Sequence, residues 1–248
     1  DWGNPDGEFK WNPTTFPGSM NGSLRDTMDR MGIKLMGIRK PRIHTATPAG
    51  AYCEQQKWYV YKENDYFSNK EVGNLNFDIP ACRQWYWQKF IDPAYNSYQR
   101  GIVAYWNDEG GYGNFQNFHW QQGQYEGQVA MNNLRVFSLN RSYFTGAQRY
   151  AYGLWSGDIG TGFDWQTWQR LNMLNSICIG AQWWSMDIGG FEGHPTNENY
   201  FRWMQMGTFV PIFRVHSHHD DRSPWSYGAE AERITRDRRP DLYGPVAG

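Results

Sequence analysis

Cleaving a glycosidic bond takes two carboxylates. One stays protonated to help the leaving oxygen depart, and the other is ionised to attack the anomeric carbon or to activate water. The chain offers Asp108, in Tyr105-Trp106-Asn107-Asp108-Glu109-Gly110-Gly111, and Asp158, in Trp155-Ser156-Gly157-Asp158. Asp108 follows an apolar run and precedes glycines that let backbone and ligand approach closely. Asp158 follows a tryptophan, whose wall would raise its pKa and keep it protonated. Both acids also suit plainer roles, Asp108 as a turn residue and Asp158 as a helix cap. His216-Ser217-His218-His219-Asp220-Asp221 has the residue types of a metal site. Such tightly adjacent ligands rarely present a tetrahedral face, and no cysteines stand at zinc spacing, so a hydrogen-bonded polar loop is expected and no metal. Gly157-Asp158-Ile159-Gly160-Thr161-Gly162 has the wrong order for a dinucleotide loop. Walker and Gly-x-Ser-x-Gly sequences are absent.

These residues need elements to hold them. Short apolar runs at 32–38, 101–106, 134–139, 176–181 and 209–213 are of strand length, Pro211 weakening the last. Between them the spacing predicts helices over Ser19 to Met31, Pro80 to Ile91, Asp164 to Leu174 and Asn199 to Met206. In the first, Met20, Leu24, Met28 and Met31 form a stripe behind Ser/Asn cap candidates. In the third, Trp165, Trp168, Leu171 and Leu174 do the same. Strand–helix alternation reads as a parallel α/β sheet or barrel, whose chemistry lies at the carboxyl ends of its strands. Asp108, Glu109, Asp158, Asp187 and His216 all follow such runs. The polar, aromatic stretches near 50–75 and 111–128 read as loop insertions over one face.

Composition narrows the partners. The 24 Lys+Arg against 25 Asp+Glu give a net charge of −1, unlike a generic nucleic-acid or anionic-membrane binder. Mean hydropathy is −0.80, and no run approaches the ~18 apolar residues that span a bilayer. The opening Asp1-Trp2-Gly3-Asn4 is no signal peptide, so a soluble chain is expected with its compartment open. Cys53, Cys82 and Cys178 are too few for a disulfide framework and read as buried free thiols. Aromatic residues make up 18% of the chain, with 14 Trp, 16 Tyr and 14 Phe. Flat apolar faces with polar tips suit sugar rings, so an oligosaccharide or glycoside is the expected partner, with neither nucleic acid nor membrane.

Longer motifs make that expectation specific. They run from Leu139-Asn140-Arg141-Ser142-Tyr143-Phe144-Thr145-Gly146 through Trp155-Ser156-Gly157-Asp158 to Trp184-Ser185-Met186-Asp187-Ile188-Gly189-Gly190-Phe191. Another extends from Tyr200 to Ser217. Together they resemble glycoside hydrolase family 31, over almost the whole chain from Asp1-Trp2 to about Arg236. The resemblance implies a retaining α-glycosidase on a (β/α)₈ TIM barrel, one catalytic domain over 1–248, with no cofactor. By the same resemblance Asp108 is the nucleophile and Asp158 the general acid/base. Asp1, Lys40, Trp106, Arg141, Asp187 and His216 line the sugar subsite, and Trp155 and Phe191 supply apolar walls.

Two departures qualify the family pattern. Asn107-Asp108-Glu109-Gly110-Gly111 stands where many members read Asp-Met-Asn-Glu, and Lys40 stands where the common α-glucosidases carry an acid. The resemblance therefore implies an α-glucoside-like activity, with α-galactoside, α-xyloside, α-N-acetylgalactosaminide or glycosyl-transfer activity as alternatives. A catalytically inactive carbohydrate-binding chain is the alternative of another class. Asp1 is the residue expected at a strand's end, so the first strands of the barrel are expected to lie outside the chain. So is the last helix, since the tail from Arg238 to Pro245 is not expected to continue as one.

Overall fold

The computed structural model describes residues 11–66, 68–91, 102–109, 115–131, 135–218 and 220–243. They form two compact units, 1–152 and 153–248.

In the first unit, helix α1 (Ser23–Arg30) leads to strand β1 (Leu35–Arg39). A small antiparallel sheet follows, built from β2 (Arg42–His44), β3 (Tyr59–Asn64) and β4 (Glu71–Leu75) in the order β2-β4-β3, with α2 (Pro48–Gln55) between β2 and β3. Helix α3 (Pro80–Ile91) then precedes β5 (Ile102–Asn107), and α4 (Gln116–Met131) precedes β6 (Ser138–Asn140). β1, β5 and β6 lie side by side and parallel, each returning through a crossover, as a barrel requires. Their last residues, Arg39, Asn107 and Asn140, are register partners, so the residues that follow emerge together at one edge.

The core beneath this edge is aromatic. Phe77 stacks on Trp120 with centroids 5.4 Å apart, and Tyr86 meets both rings edge-on. Arg39 is buried among them, its guanidinium 4.9 Å from the Tyr105 centroid and 5.0 Å from that of Trp120. Burial pushes this guanidinium down to about 10, with Tyr86, Tyr105 and Tyr152 pulling the other way.

The second unit begins within strand β7 (Tyr152–Leu154) and holds α5 (Phe163–Cys178), α6 (Asn197–Gly207) and α7 (Ala229–Tyr243). Against expectation, α7 runs as helix into the tail from Arg238. Single parallel bridges join Leu154 to Trp184, Ser185 to Ile212 and Ile188 to Val215, continuing the parallel pattern.

Several expectations change. The helix expected from Ser19 starts only at Ser23, because Gly22 takes a left-handed φ of 87° and no side chain caps it. Its methionine stripe stays at the surface, Met20 and Met31 being exposed. The stretch 111–128 is no loop where it is described, since 116–131 is helix. Its buried face is glutamine and asparagine around Trp120, which an apolar pattern cannot reveal. The 50–75 stretch holds the end of α2 and the β3–β4 hairpin. The run 176–181 is not a strand. Ser176–Cys178 closes α5, Cys178 is exposed, and the bridging residues come later, at Trp184 and Ser185. The run 209–213 contributes only the Ile212 bridge, with the amide of Val210 turned back to the Gly207 carbonyl beside Pro211. On α5, Trp165, Trp168, Leu171 and Leu174 are exposed while Gln166 and Gln169 are buried.

Candidate active site

A buried polar layer sets the site in the first unit. Arg39 Nε donates to Asn107 Oδ1 (2.5 Å), and Asn107 Nδ2 donates to Asn140 Oδ1 (2.5 Å) and to Gln121 Oε1 (3.0 Å). Arg39 also reaches Gln124 Oε1, so the glutamine face of α4 satisfies groups that would be costly to bury alone. This ties the ends of β1, β5 and β6 together one residue below Lys40, Asp108 and Arg141.

Above that layer the three sequence-identified residues converge. Arg141 Nη1 is 3.2 Å from Asp108 Oδ1, and Lys40 Nζ is 3.7 Å from Asp108 Oδ2. The Asp108 amide donates to the Arg39 carbonyl (3.0 Å), and the Arg141 amide to the Asn107 carbonyl (3.2 Å). Tyr86 fixes the Lys40 backbone through its hydroxyl, 2.7 Å from the Lys40 carbonyl. Burial lowers the Lys40 ammonium from its ordinary range; Asp108 opposes that shift and Arg42 adds to it. Trp106, half-buried, stands two residues before Asp108 and therefore on the strand face opposite Asn107. Asp1 lies outside the described residues.

Sequence reading missed the rest of this cluster. Glu109, with a left-handed φ of 64°, forms ion pairs with both Lys40 and Arg42. Arg42 also meets Asp65 Oδ1 at 2.5 Å. Burial works against ionisation of Asp65, yet the amide and hydroxyl of Ser68, with Arg42, hold it below the usual carboxylate range. Tyr66, at the tip of the β3–β4 turn, brings its hydroxyl to Glu109 Oε1 (3.1 Å). The only signal in the sequence was Glu109 following a strand. Arg42, Asp65 and Tyr66 carry no motif.

The second unit holds the other candidates. Asp158 follows β7 on a turn made possible by Gly157, at φ 69°. It is exposed, whereas Trp155 is buried at 3% exposure with the Arg214 guanidinium 5.5 Å from its ring centroid. The tryptophan expected to wall off Asp158 thus packs inward and leaves Asp158 at the surface. Asp187 is completely buried, paired with Arg214, and its amide donates to Ser156 Oγ (3.3 Å). The amides of Phe191 and Glu192 both donate to the Ile159 carbonyl, at 2.7 and 2.9 Å, zipping the Asp158 loop to the Phe191 loop. Phe191 lies between His216 and His218, with ring centroids 5.3 and 5.2 Å away.

The 216–221 segment is held by separate contacts: His218 with Glu192 at 3.4 Å, and Asp220 with His194 at 3.2 Å. His219 lies outside the described residues. Among the described residues no group of three His, Cys, Asp or Glu side chains is placed to hold a metal ion. No helix among them is long and apolar enough to cross a membrane.

Parallel strands joined by crossovers, with acids and cations gathered at their carboxyl ends, define a TIM-barrel domain of the enzyme type. The comparison with known proteins makes the class a family. The TIM-barrel domain of glycosyl hydrolases family 31 matches residues 1–238, and the chain belongs to that family. A 1,6-alpha-glucosyltransferase of Sporosarcina globispora is 38% identical, over 93% of this chain and 21% of its own length. An alpha-xylosidase of Saccharolobus solfataricus is 33% identical, over 91% of this chain and 33% of its own. Neutral alpha-glucosidase C of Homo sapiens is 27% identical, over 95% and 29%. The chain thus spans a fifth to a third of the length of these relatives. Among solved structures, a Flavobacterium johnsoniae GH31 dextranase complexed with glucose superposes with a TM-score of 0.84 at 22% identity, covering 95% of this chain and 34% of that one. A GH31 alpha-xylosidase from a soil metagenome, complexed with xylose, gives 0.83 at 24%, covering 96% and 41%. At those identities the likeness speaks for the fold.

Proposed function

We propose that this chain is the catalytic domain of a retaining α-glycosidase that releases terminal α-linked, glucoside-like sugars from oligosaccharides. The observation that carries the reading is the Asp108 carboxylate, presented at the end of a parallel strand between Lys40 and Arg141 in a chain of this family. Asp108 attacks the anomeric carbon while Asp158 gives a proton to the departing oxygen. Water, deprotonated by Asp158, then opens the glycosyl ester and restores both acids.

The remaining residues hold the sugar. Arg141 and Lys40 place positive charge beside the oxygen that leaves the carbon in the second step. Asp1 and His216 take hydroxyls of the ring, and Trp106 and Phe191 supply apolar faces. Asp187 and Trp155, expected at the sugar but buried against Arg214, position the chain just before His216 instead. No step calls for a cofactor. A second reading is transfer, in which a sugar hydroxyl replaces water. It is favoured by the 38% identity to a protein named as a glucosyltransferase. α-Xyloside, α-galactoside and α-N-acetylgalactosaminide specificity are same-family variants that would differ in the contacts made to the C6 hydroxymethyl, the C4 hydroxyl and the C2 substituent.

The test is intact-mass spectrometry after exposure to fluorinated α-glycosyl fluorides of the gluco, galacto and xylo series. A gain of one glycosyl unit on the parent chain, absent from Asp108→Ala, is expected. A folded parent chain that takes no label, or a variant that labels equally, would remove Asp108 from the role. The first of these would leave a carbohydrate-binding protein without turnover.

A further inference from the structure

We propose that Tyr66 is a stacking platform for a second sugar ring, next to the one held at Asp108; this rests on the glycosidase reading above and names a subsite for it. Tyr66 is 71% exposed, yet it does not hang free in solvent. Its hydroxyl is 3.1 Å from Glu109 Oε1 and 3.4 Å from Lys40 Nζ. Lys40 Nζ and Arg42 Cζ lie 5.4 and 5.5 Å from its ring centroid. The ring is therefore held by cations and by its hydroxyl while most of its surface faces water. A tyrosine that only covered Lys40 would spend its apolar area on burial.

The turn beneath the ring is equally fixed. Asp65 Oδ2 accepts from the Ser68 amide (2.7 Å) and hydroxyl (2.8 Å), and the Asp65 and Asn69 amides close the turn on Lys70 and Asp65 carbonyls (2.8 and 2.7 Å). Asp65 is itself anchored to Arg42. A flat aromatic ring whose ordering precedes the ligand loses little entropy on binding. Its distance from the reaction is set by one residue. Lys40 Nζ touches both the Tyr66 hydroxyl (3.4 Å) and Asp108 Oδ2 (3.7 Å), so the hydroxyl lies within about 7 Å of the nucleophile candidate. The ring centroid, 5.4 Å from the same ammonium, lies within about 9 Å of that carboxylate. That is within reach of the pyranose next to one whose anomeric carbon meets Asp108, which would present its C–H face there. The polar rim of that sugar meets Glu109 and the tyrosine hydroxyl.

The readout is a ratio: kcat/KM for maltose and for isomaltose, each divided by kcat/KM for α-glucosyl fluoride, which has no second ring. Tyr66→Ala is expected to lower the ratio about tenfold for at least one disaccharide, while Tyr66→Phe, which keeps the ring, stays within about threefold of the parent. An unchanged ratio in Tyr66→Ala, or equal losses in the Ala and Phe variants, would overturn the platform. Calorimetric titration of maltose and isomaltose into Asp108→Asn, with and without Tyr66→Ala, separates this idea from the glycosidase reading. Binding that weakens about tenfold without the ring supports the platform even where no substrate turns over. Binding indifferent to Tyr66, or none for either sugar, rejects it.

Discussion

Arg214→Met should cost this fold far more than an ordinary substitution, and the cost should depend on pH. Asp187 has no exposed surface, and Arg214 is its ion-pair partner, with only 14% of the side chain exposed. Removing one member of a buried pair leaves the other charge in a medium that solvates it poorly, at about 3–5 kcal/mol. For a chain of this size each kcal/mol moves the melting temperature by about 2–4 °C, so a fall of roughly 6–20 °C is expected at neutral pH. Methionine keeps much of the stem that packs near Trp155, so lost volume contributes little.

The pH dependence identifies the cause. In the variant, burial without the guanidinium pushes the Asp187 carboxyl above the ~3.9 of an unfolded aspartate. Between those two values the folded variant binds more protons than the unfolded chain, so its stability falls as pH rises, and the full deficit is present above the raised value. Melting curves at pH 5 and pH 8 for parent and variant should show the smaller gap at pH 5. Adding Asp187→Asn to Arg214→Met should recover part of the loss, a coupling that independent sites do not show. A fall under about 3 °C, or a gap equal at both pH values, would refute an ion pair that holds this loop.

Two further outcomes follow from single residues. Of the three thiols, Cys53 and Cys82 are buried, and burial pushes Cys53 up to about 12 and Cys82 higher still, while Cys178 is exposed. Ellman's reagent at pH 8 should therefore react quickly with one thiol in the native protein and with three in guanidinium, and Cys178→Ser should abolish the fast phase. Gly190 sits at φ +84°, and a Cβ there would come within 2.7 Å of the Thr161 Cα and 2.8 Å of the Gly160 carbonyl oxygen. Gly190→Ala should destabilise by about 2–4 kcal/mol, from left-handed strain and overpacking together, read by urea unfolding. A loss under 1 kcal/mol would mean that the Asp187–Phe191 loop relaxes freely.

What the sequence revealed and what it hid divide along physical lines. β1, β5 and α3 were legible because an apolar strand bounded by glycine, or a helix opened by proline, announces itself locally. Helix α4 was not, because its buried positions are Gln116, Asn117, Gln121, Gln124 and Gln128 around a single Trp120. Those amides are buried because Asn107, Arg39, the Phe77 amide and the Tyr150 carbonyl need partners, and no pattern of hydrophobicity encodes that need. The run 176–181 misled for the opposite reason: its apolar residues continue the exposed face of α5. That Asp108 stands at the end of a strand could be read from its run, whereas Arg42, Asp65 and Tyr66 come to its neighbourhood only through the fold of the β2–β4 sheet.

The two departures from the family pattern turn out to be one feature. Lys40 replaces an expected acid, and Glu109 falls just after Asp108, in a segment that departs from Asp-Met-Asn-Glu. They are 69 residues apart in the chain and form an ion pair in the structure. β1 and β5 are adjacent and parallel, with Arg39 paired to Asn107, so residues just past each strand meet at the same edge. A lone lysine at that edge would set a positive charge near Asp108 with burial against it. With Glu109 opposite, the added cation is matched, and Arg42 is drawn into the same pair. The charges beside the carboxylate are thus balanced within this chain. On the glycosidase reading proposed above, the side of a bound sugar facing Lys40 and Glu109 is where this chain would differ from a relative with an acid at that position, with the proposed attack by Asp108 unchanged.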